Sequence, residues 1–261
     1  MNNQHQSSVQ LKASAREVLL GKYGASIAVM LLCQLILGSV SLFASSMLQS
    51  SSLFNTIANY AISLIIELLN GVFFLGQIYF YLNIACNRPY RISNAFYGFH
   101  THTDKAIIVK FLLLIIQILC LAPAILVYLF YKSRPSSFLI MLMTITAVTG
   151  MIALTVFSLL FSQVFYLILD FPDKKISELF ALSKKIMKGS LGRLLYLHIS
   201  FIPLCLLALL SCGIGFIFLT PYMNMTFTFF YLDLIHCREG IANPSVNLDQ
   251  GTLDSIASIP Q

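Results

Sequence analysis

Six long apolar stretches, separated by short polar segments, restrict the fold of this chain more than any other feature of its sequence. A helix needs roughly 20 apolar residues to cross a hydrocarbon core of about 30 Å. Six such helices leave no room in 261 residues for a separate soluble domain. Only 10% of the residues are charged, whereas soluble domains carry about 25%. The sequence therefore predicts an all-α membrane protein with six transmembrane helices.

The distribution of positive charge predicts how these helices are oriented. In a six-span arrangement, Lys132 and Arg134 are the only two of the 16 Lys and Arg residues that lie opposite the N-terminus. Positively charged loops stay in the cytoplasm. We therefore expect a multi-pass protein of the cytoplasmic (inner) membrane with both termini in the cytoplasm. The net charge of +6 then indicates anionic lipid headgroups as partners, and not nucleic acid.

The apolar pattern also predicts the boundaries of the segments. Residues 1–10 and 238–261 are polar and predicted to be disordered, and residues 11–237 form the membrane domain. The predicted spans cover approximately residues 25–48, 57–84, 106–131, 138–169, 194–211 and 216–236. The fourth run is uncharged over its whole length and exceeds the hydrocarbon thickness, so it must tilt or project into the cytoplasm.

Two basic segments have the spacing of amphipathic helices. The first begins at Leu11, and the second covers the residues between Lys174 and Lys188. Both patterns are typical of helices that lie in the headgroup plane. The basic residues predicted to contact lipid in the second segment are Lys174, Lys175, Lys184, Lys185 and Lys188.

The two amphipathic segments also resemble each other at a constant offset. Leu11 matches Leu179, and Gly21 matches Gly189. A weaker copy, at half that offset from the second segment, begins near Ile92. The pattern predicts three repeats, each with an amphipathic surface helix followed by a two-span hairpin, as repeats in membrane transporters are often this faint.

Glu67 is the acidic residue that the sequence places deep inside a span. An ionisable group in the membrane is costly and suggests a proton or cation relay. The other interpretation is a neutral glutamic acid that hydrogen-bonds to Asn70, Gln34 or a backbone carbonyl. Because Lys110 is assigned to the inner end of the third span, where a lysine can extend to the interface, the sequence provides no basic partner. We therefore expect the structural role at this candidate polar site.

Other polar groups give weaker indications of chemistry. His198, Asp233 and His236 are predicted at the inner ends of the fifth and sixth spans, where a histidine beside a carboxylate could exchange protons. His100, His102 and Asp104 lie together in a linker, but zinc sites need a further ligand and a rigid frame. No HExxH, GxSxG or P-loop sequence is present. We predict no catalytic residue, metal or cofactor.

The last third of the chain resembles a known family. The residues that carry the resemblance are Gly189, Ser200, Phe201, Gly213, Gly215, Pro221, Tyr222 and Tyr231, together with Leu11-Lys12, Ala15-Arg16 and Gly21-Lys22-Tyr23 near the start. The pattern is similar to a bacterial integral membrane family catalogued as domain of unknown function 975. One departure is Pro203-Leu204, where the family pattern has Gly-Trp. The resemblance implies a polytopic inner-membrane protein and no particular activity.

The sequence favours a non-enzymatic scaffold or accessory protein of the cell envelope, because recognisable catalytic motifs are missing and basic amphipathic helices are present. The alternative is a small transporter or lipid-handling permease with Glu67 as its intramembrane polar site. A membrane-protein partner or a homo-oligomer is compatible with both hypotheses.

The predicted topology can be tested with reporter fusions. Because positive loops are retained in the cytoplasm, fusions after His102, Lys185 and Asn243 should report a cytoplasmic location. Fusions after Ser51, Arg134 and Gly213 should report an external one. An external signal at Lys185 would contradict the arrangement, since that segment carries the densest positive charge.

Overall fold

The structure, a computed structural model, describes residues 6–47 and 53–242, with the backbone alone for Met47, Leu53 and residues 236–242. These residues form α-helices and one 3-10 helix, and no β-strand occurs among them. The α-helices are α1 (Ser8–Leu19), α2 (Tyr23–Met47), α3 (Leu53–Ala85), α4 (Tyr97–His100), α5 (Thr103–Ser133), α6 (Ser137–Phe161), α7 (Val164–Asp170), α8 (Ile176–Met187), α9 (Leu191–Ile199), α10 (Ile202–Leu210) and α11 (Gly215–Ala242). The 3-10 helix, Ile92–Phe96, precedes α4.

Five segments of the described chain are long and apolar enough to cross a membrane. They are Tyr23–Ser46, Phe54–Ala85, Thr103–Ser133, Ser137–Asp170 and Leu191–Leu210. These segments correspond to the first five predicted spans. The sixth, α11, is not among the five, because Asn224, Thr226 and Thr228 lower the hydropathy of its middle. A helical fold with five candidate membrane spans is therefore confirmed for the described residues, whereas the count of six spans stays a prediction.

Two predicted spans are interrupted. The fourth run ends as α6 at Phe161 and resumes as α7 at Val164, so it is not one continuous helix. The fifth run is divided between α9 and α10 at Ser200-Phe201. Pro203 lies in the first turn of α10. It has no N–H to donate to the preceding turn, so a regular helix cannot pass through this point.

The chain divides into two compact units. The first unit contains the residues up to Gln34, Gly76–Ala95, and the residues from Gly192 onward. In this unit α1 packs against α11, and Leu11, Ala15 and Leu19 of α1 are completely buried. The apolar stripe that the sequence assigned to the headgroup plane is therefore covered by protein.

The second unit contains Leu35–Leu75 and Phe96–Leu191. Its main contact is between α5 and α6, which form an antiparallel hairpin closed by Pro135. At Gly150 a side-chain carbon would lie 2.7 Å from the Cys120 carbonyl oxygen, so glycine allows the two helices to approach. The apolar face of α8 packs on α6 and α7, and Leu179 and Met187 are fully buried.

Local backbone conformation repeats at the entrances to three long apolar runs. Helices α1 and α8 are both 12 residues long. Each is followed by a glycine with positive φ, 76° at Gly21 and 89° at Gly189. His102, with a φ of 60°, occupies the same place before α5. Positive φ strongly favours glycine, so the two glycines mark positions where the backbone itself requires that residue.

Gly76 provides a test of the packing in the first unit. A side-chain carbon at this position would lie 2.1 Å from the Ala95 carbonyl oxygen, which is backbone and cannot rotate away. We expect Gly76→Ala to lower the free energy of unfolding by about 1–3 kcal/mol, the usual cost of overpacking. The measurement is thermal unfolding of the purified chain in detergent.

Gly38→Ala is the matched control. Gly38 is also inside a helix, but nothing lies within 4 Å of the added carbon. Alanine should there leave stability unchanged or raise it by about 0.5–1 kcal/mol. Equal destabilisation by both substitutions would show that the close approach at Gly76 is not what matters.

Candidate functional site

Glu67 has a basic partner, which corrects the prediction from sequence. Lys110 on α5 places its Nζ 2.6 Å from Oε1 of Glu67 on α3. The two side chains are 22% and 41% exposed, respectively, so the pair lies at a helix surface and not in a closed core. The prediction that no basic residue could pair with Glu67 was wrong because the side chain of Lys110 reaches Glu67 on α3.

The small residue Gly71 makes room for this pair. A side-chain carbon at Gly71 would lie 2.7 Å from Cβ of Lys110, so the stem of the lysine occupies the space that glycine leaves empty. Gly71 follows Glu67 by four residues, so both project from the same face of α3. A glycine one turn after an acidic residue was the sequence signal that could have indicated a neighbouring side chain.

The other two residues of the predicted polar site do not join this pair. Asn70 is half-buried on α3. Gln34 is exposed on α2 and belongs to the first unit, whereas Glu67 belongs to the second. The structure thus retains Glu67 from the predicted group and adds Lys110.

A second ion pair, in the first unit, fixes the end of α11. Nη2 of Arg193 donates to Oδ2 of Asp233 at 2.8 Å and also to the Gln6 carbonyl. The backbone N–H of Gln6 donates to Oδ1 of Asp233 at 2.9 Å. Asp233 is 7% exposed, so its charge depends on these partners. The pair connects the N-terminal segment, α9 and α11.

His198, which the sequence placed at the same level as Asp233, contacts other partners in the structure. The Nδ1 atom of His198 lies 2.8 Å from the Leu194 carbonyl, and its ring stacks on Phe227 with centroids 4.6 Å apart. Phe227 and Asp233 are six residues apart on α11, about 9 Å along the helix axis. The side chain of His236 lies outside the described part of the chain.

The linker histidines do not form a metal site either. His102 precedes α5 in a left-handed conformation, and Nδ1 of His100 is 3.2 Å from the Phe96 carbonyl. Among the residues that the structure describes, no group of three His, Cys, Asp or Glu side chains could hold a metal ion.

The side chain of Lys12 contacts the residues at the break between α9 and α10. Its Nζ donates to the Ser200 carbonyl at 2.9 Å and lies 4.0 Å from the centre of the Phe201 ring. A cation is favoured at a helix C-terminus and over an aromatic face. Phe201 is completely buried and meets the edge of Tyr222 on α11. Ser200, Phe201 and Tyr222, which carry the family resemblance, therefore meet at one point.

The remaining residues of the family motif lie at turns, at close helix contacts or in the buried interior. Gly189 and Gly213 have positive φ, and a side-chain carbon at Gly215 would lie 2.7 Å from Cα of Ala208. Pro221 lies inside α11, and Tyr231 is fully buried. The basic residues assigned to the lipid surface on and beside α8 are all exposed: Lys174, Lys175, Lys184, Lys185 and Lys188.

A comparison with protein families agrees with this pattern of motif residues. The family model described as "Protein of unknown function (DUF975)" matches residues 1–238. The chain belongs to this family. No curated protein and no solved structure matches it. Membership in DUF975 therefore confirms the resemblance carried by Ser200, Phe201 and Tyr222, and it names no activity.

The Glu67–Lys110 pair can be tested with a double-mutant cycle. Glu67→Gln leaves Lys110 charged without its partner, and Lys110→Gln does the same to Glu67. We expect each single substitution to lower the free energy of unfolding by about 1–3 kcal/mol, between the values for exposed and buried pairs. The double substitution should recover much of the loss. Strictly additive losses in thermal unfolding would show that the two side chains are not coupled.

Proposed function

We propose that this DUF975 member is a non-enzymatic accessory protein of the cytoplasmic (inner) membrane, which supports envelope proteins or lipids as a scaffold. The Glu67–Lys110 ion pair carries the proposal. The pair joins a side chain of α3 to a side chain of α5, and such a contact holds the two helices together. Glu67 is therefore best explained as a connection between α3 and α5.

The other charged groups near the apolar helices have structural partners as well. Asp233 is held by Arg193 and by the Gln6 backbone. Lys12 is held by the Ser200 carbonyl. Arrangements of this kind stabilise one packing of helices, which is what a scaffold requires.

A large apolar surface supports the expectation of a lipid or protein partner. In the most apolar 18-residue stretch of α5, no residue is buried. Ile118, Leu119 and Leu126 are more than half exposed. Inside a bilayer such a surface contacts lipid chains, a neighbouring membrane protein or a second copy of this chain.

The local backbone supports three repeats, in each of which a short surface helix leads through a positive-φ residue into an apolar hairpin. Helices α1 and α8 keep the same offset at both ends. Their first residues, Ser8 and Ile176, are as far apart in the sequence as their last residues, Leu19 and Met187. The hairpins then begin and end on the cytoplasmic side, where the exposed lysines of α8 contact anionic headgroups. Both termini lie on that side.

A small transporter or lipid-handling permease that uses Glu67 is the competing hypothesis. It requires the titratable carboxyl itself, and not only the connection between the helices. Substitutions that remove both charges and keep hydrogen-bonding groups therefore separate the two functions.

The test uses cells that lack the protein and depend on it for a measurable growth phenotype. For a scaffold, Glu67→Gln/Lys110→Gln should restore growth to the wild-type level, because two amides can still bond to each other. Proteoliposomes containing wild-type protein should show the same proton flux as empty ones. The matched control is Arg193→Gln/Asp233→Asn, which neutralises the other ion pair and should also restore growth.

Failure of the Glu67→Gln/Lys110→Gln variant alone, with normal folding and expression, would contradict the scaffold. It would favour a transporter in which Glu67 carries the coupled ion. Failure of both variants would show that charge pairs in general are needed, and would also contradict the proposal that the Glu67 pair is only a connection.

A further inference from the structure

An open groove of about 630 Å³ lies between α10 and α11. Its walls are apolar, with Leu204 and Leu207 from α10 and Phe218 and Leu219 from α11. Two tyrosines, Tyr23 and Tyr222, also line the groove. The groove therefore combines a long apolar wall with a polar element supplied by two tyrosines.

Positive charge is concentrated beside these tyrosines. The guanidinium of Arg16 lies near the side chain of Tyr222, and Lys12 lies one turn before Arg16 on α1. Burial, and secondarily the positive charge of Arg16, lower the pKa of Lys12. Lys12 contacts the Ser200 carbonyl and the Phe201 ring, but among the described residues neither of these two cations has a carboxylate partner.

The same residues indicate where the groove lies in a bilayer. Tyr23 is the first residue of a candidate span, and tyrosines are enriched where hydrocarbon meets headgroups. From Ile202 to Leu210, α10 has nine residues and is therefore about 13 Å long. This is close to half of the hydrocarbon thickness of about 30 Å. The groove has the depth of one leaflet.

We propose that this groove binds one anionic phospholipid, with the phosphate at Arg16 and Tyr222 and an acyl chain along α10. Arginine has five N–H donors, and a phosphate accepts two of them in a bidentate geometry. Leu204, Leu207 and Phe218 contact the acyl chain in place of the neighbouring lipid chains that surround it in a bilayer. The site rests on the proposed function only in requiring that the chain lies in a membrane.

Charge complementarity distinguishes this occupant from others. A zwitterionic lipid carries its own cation, which the charges of Lys12 and Arg16 repel. Inorganic phosphate would gain the polar contacts and leave the apolar wall empty. An apolar peptide helix would fill the wall and bring no negative charge to Lys12 and Arg16. An anionic amphiphile satisfies both parts of the groove.

The test is native mass spectrometry of the full-length protein released from lipid nanodiscs. The discs contain equal amounts of phosphatidylglycerol and phosphatidylcholine of the same chain length. We expect one bound phosphatidylglycerol per chain, with about a tenfold preference over phosphatidylcholine, the effect of one charge-assisted contact. Arg16→Gln should remove the preference without unfolding the protein, because Arg16 is exposed.

Lys184→Gln is the matched control. Lys184 occupies the position on α8 that corresponds to Arg16 on α1, and it is also exposed. It should keep the tenfold preference, since it contributes only to the general attraction of anionic lipid. Equal losses in both variants would overturn a specific site and leave surface electrostatics as the explanation.

Two further measurements test the two ends of the groove separately. Leu207→Trp should reduce bound lipid of either headgroup, because the larger ring occupies the space of the acyl chain. A ligand that binds the folded protein raises its melting temperature, so phosphatidylglycerol should raise it and inorganic phosphate at about the same molar excess should not. Stabilisation by phosphate alone, or unchanged binding by Leu207→Trp, would overturn the proposed acyl-chain site.

The lipid site also predicts the depth of the turn between α10 and α11. One leaflet of depth puts Cys212 near the bilayer midplane, and this placement replaces the external position that six complete spans gave to the adjacent Gly213. In intact cells, a variant with Cys212 as its only cysteine should not react with a membrane-impermeant maleimide. Reaction from the outside would overturn the one-leaflet placement. It would leave the scaffold function untouched, which depends on the Glu67–Lys110 pair.

Discussion

Side chains of the short surface helices donate hydrogen bonds to carbonyl groups where long helices are interrupted, and the rest of the structure depends on these bonds. Lys12 of α1 donates to the Ser200 carbonyl, and Ser183 of α8 donates to the Leu160 carbonyl at 2.7 Å. A carbonyl group without a partner is costly in an apolar environment. The surface helices are therefore integral parts of both packed units, and not only anchors to lipid.

The apolar stripes of these helices lead to the same conclusion. Leu11 and Leu179 occupy corresponding positions in α1 and α8, and both are completely buried by protein. An amphipathic helix in the headgroup plane would leave this stripe to lipid. Here the stripe packs on neighbouring helices, and the basic residues Lys184 and Lys185 remain exposed. The same sequence pattern thus serves protein packing on one face and permits contact with headgroups on the other.

Much of the architecture was predictable because hydropathy and helix period are local properties. The sequence indicated the long apolar helices, the basic helix now described as α8, and the special glycines Gly21 and Gly189 before they were seen. The interruption at Ser200-Phe201 had a visible cause in Pro203. For the break before Val164, the only indication in the sequence was the excess length of the apolar run. Membership in DUF975 was also predictable, since the family motif is a pattern of residues in the sequence.

The partners of the charged side chains were decided by tertiary structure. Lys110 meets Glu67, Arg193 meets Asp233 and Lys12 meets Ser200, and none of these pairs is close in sequence. Hydropathy determines that a residue lies near a membrane helix, but the direction in which a flexible lysine turns depends on the space left by neighbours such as Gly71. The sequence by itself therefore determined an all-helical membrane protein and the faces of its helices. Packing alone decided which polar groups meet, because that depends on distances between helices that no local pattern encodes.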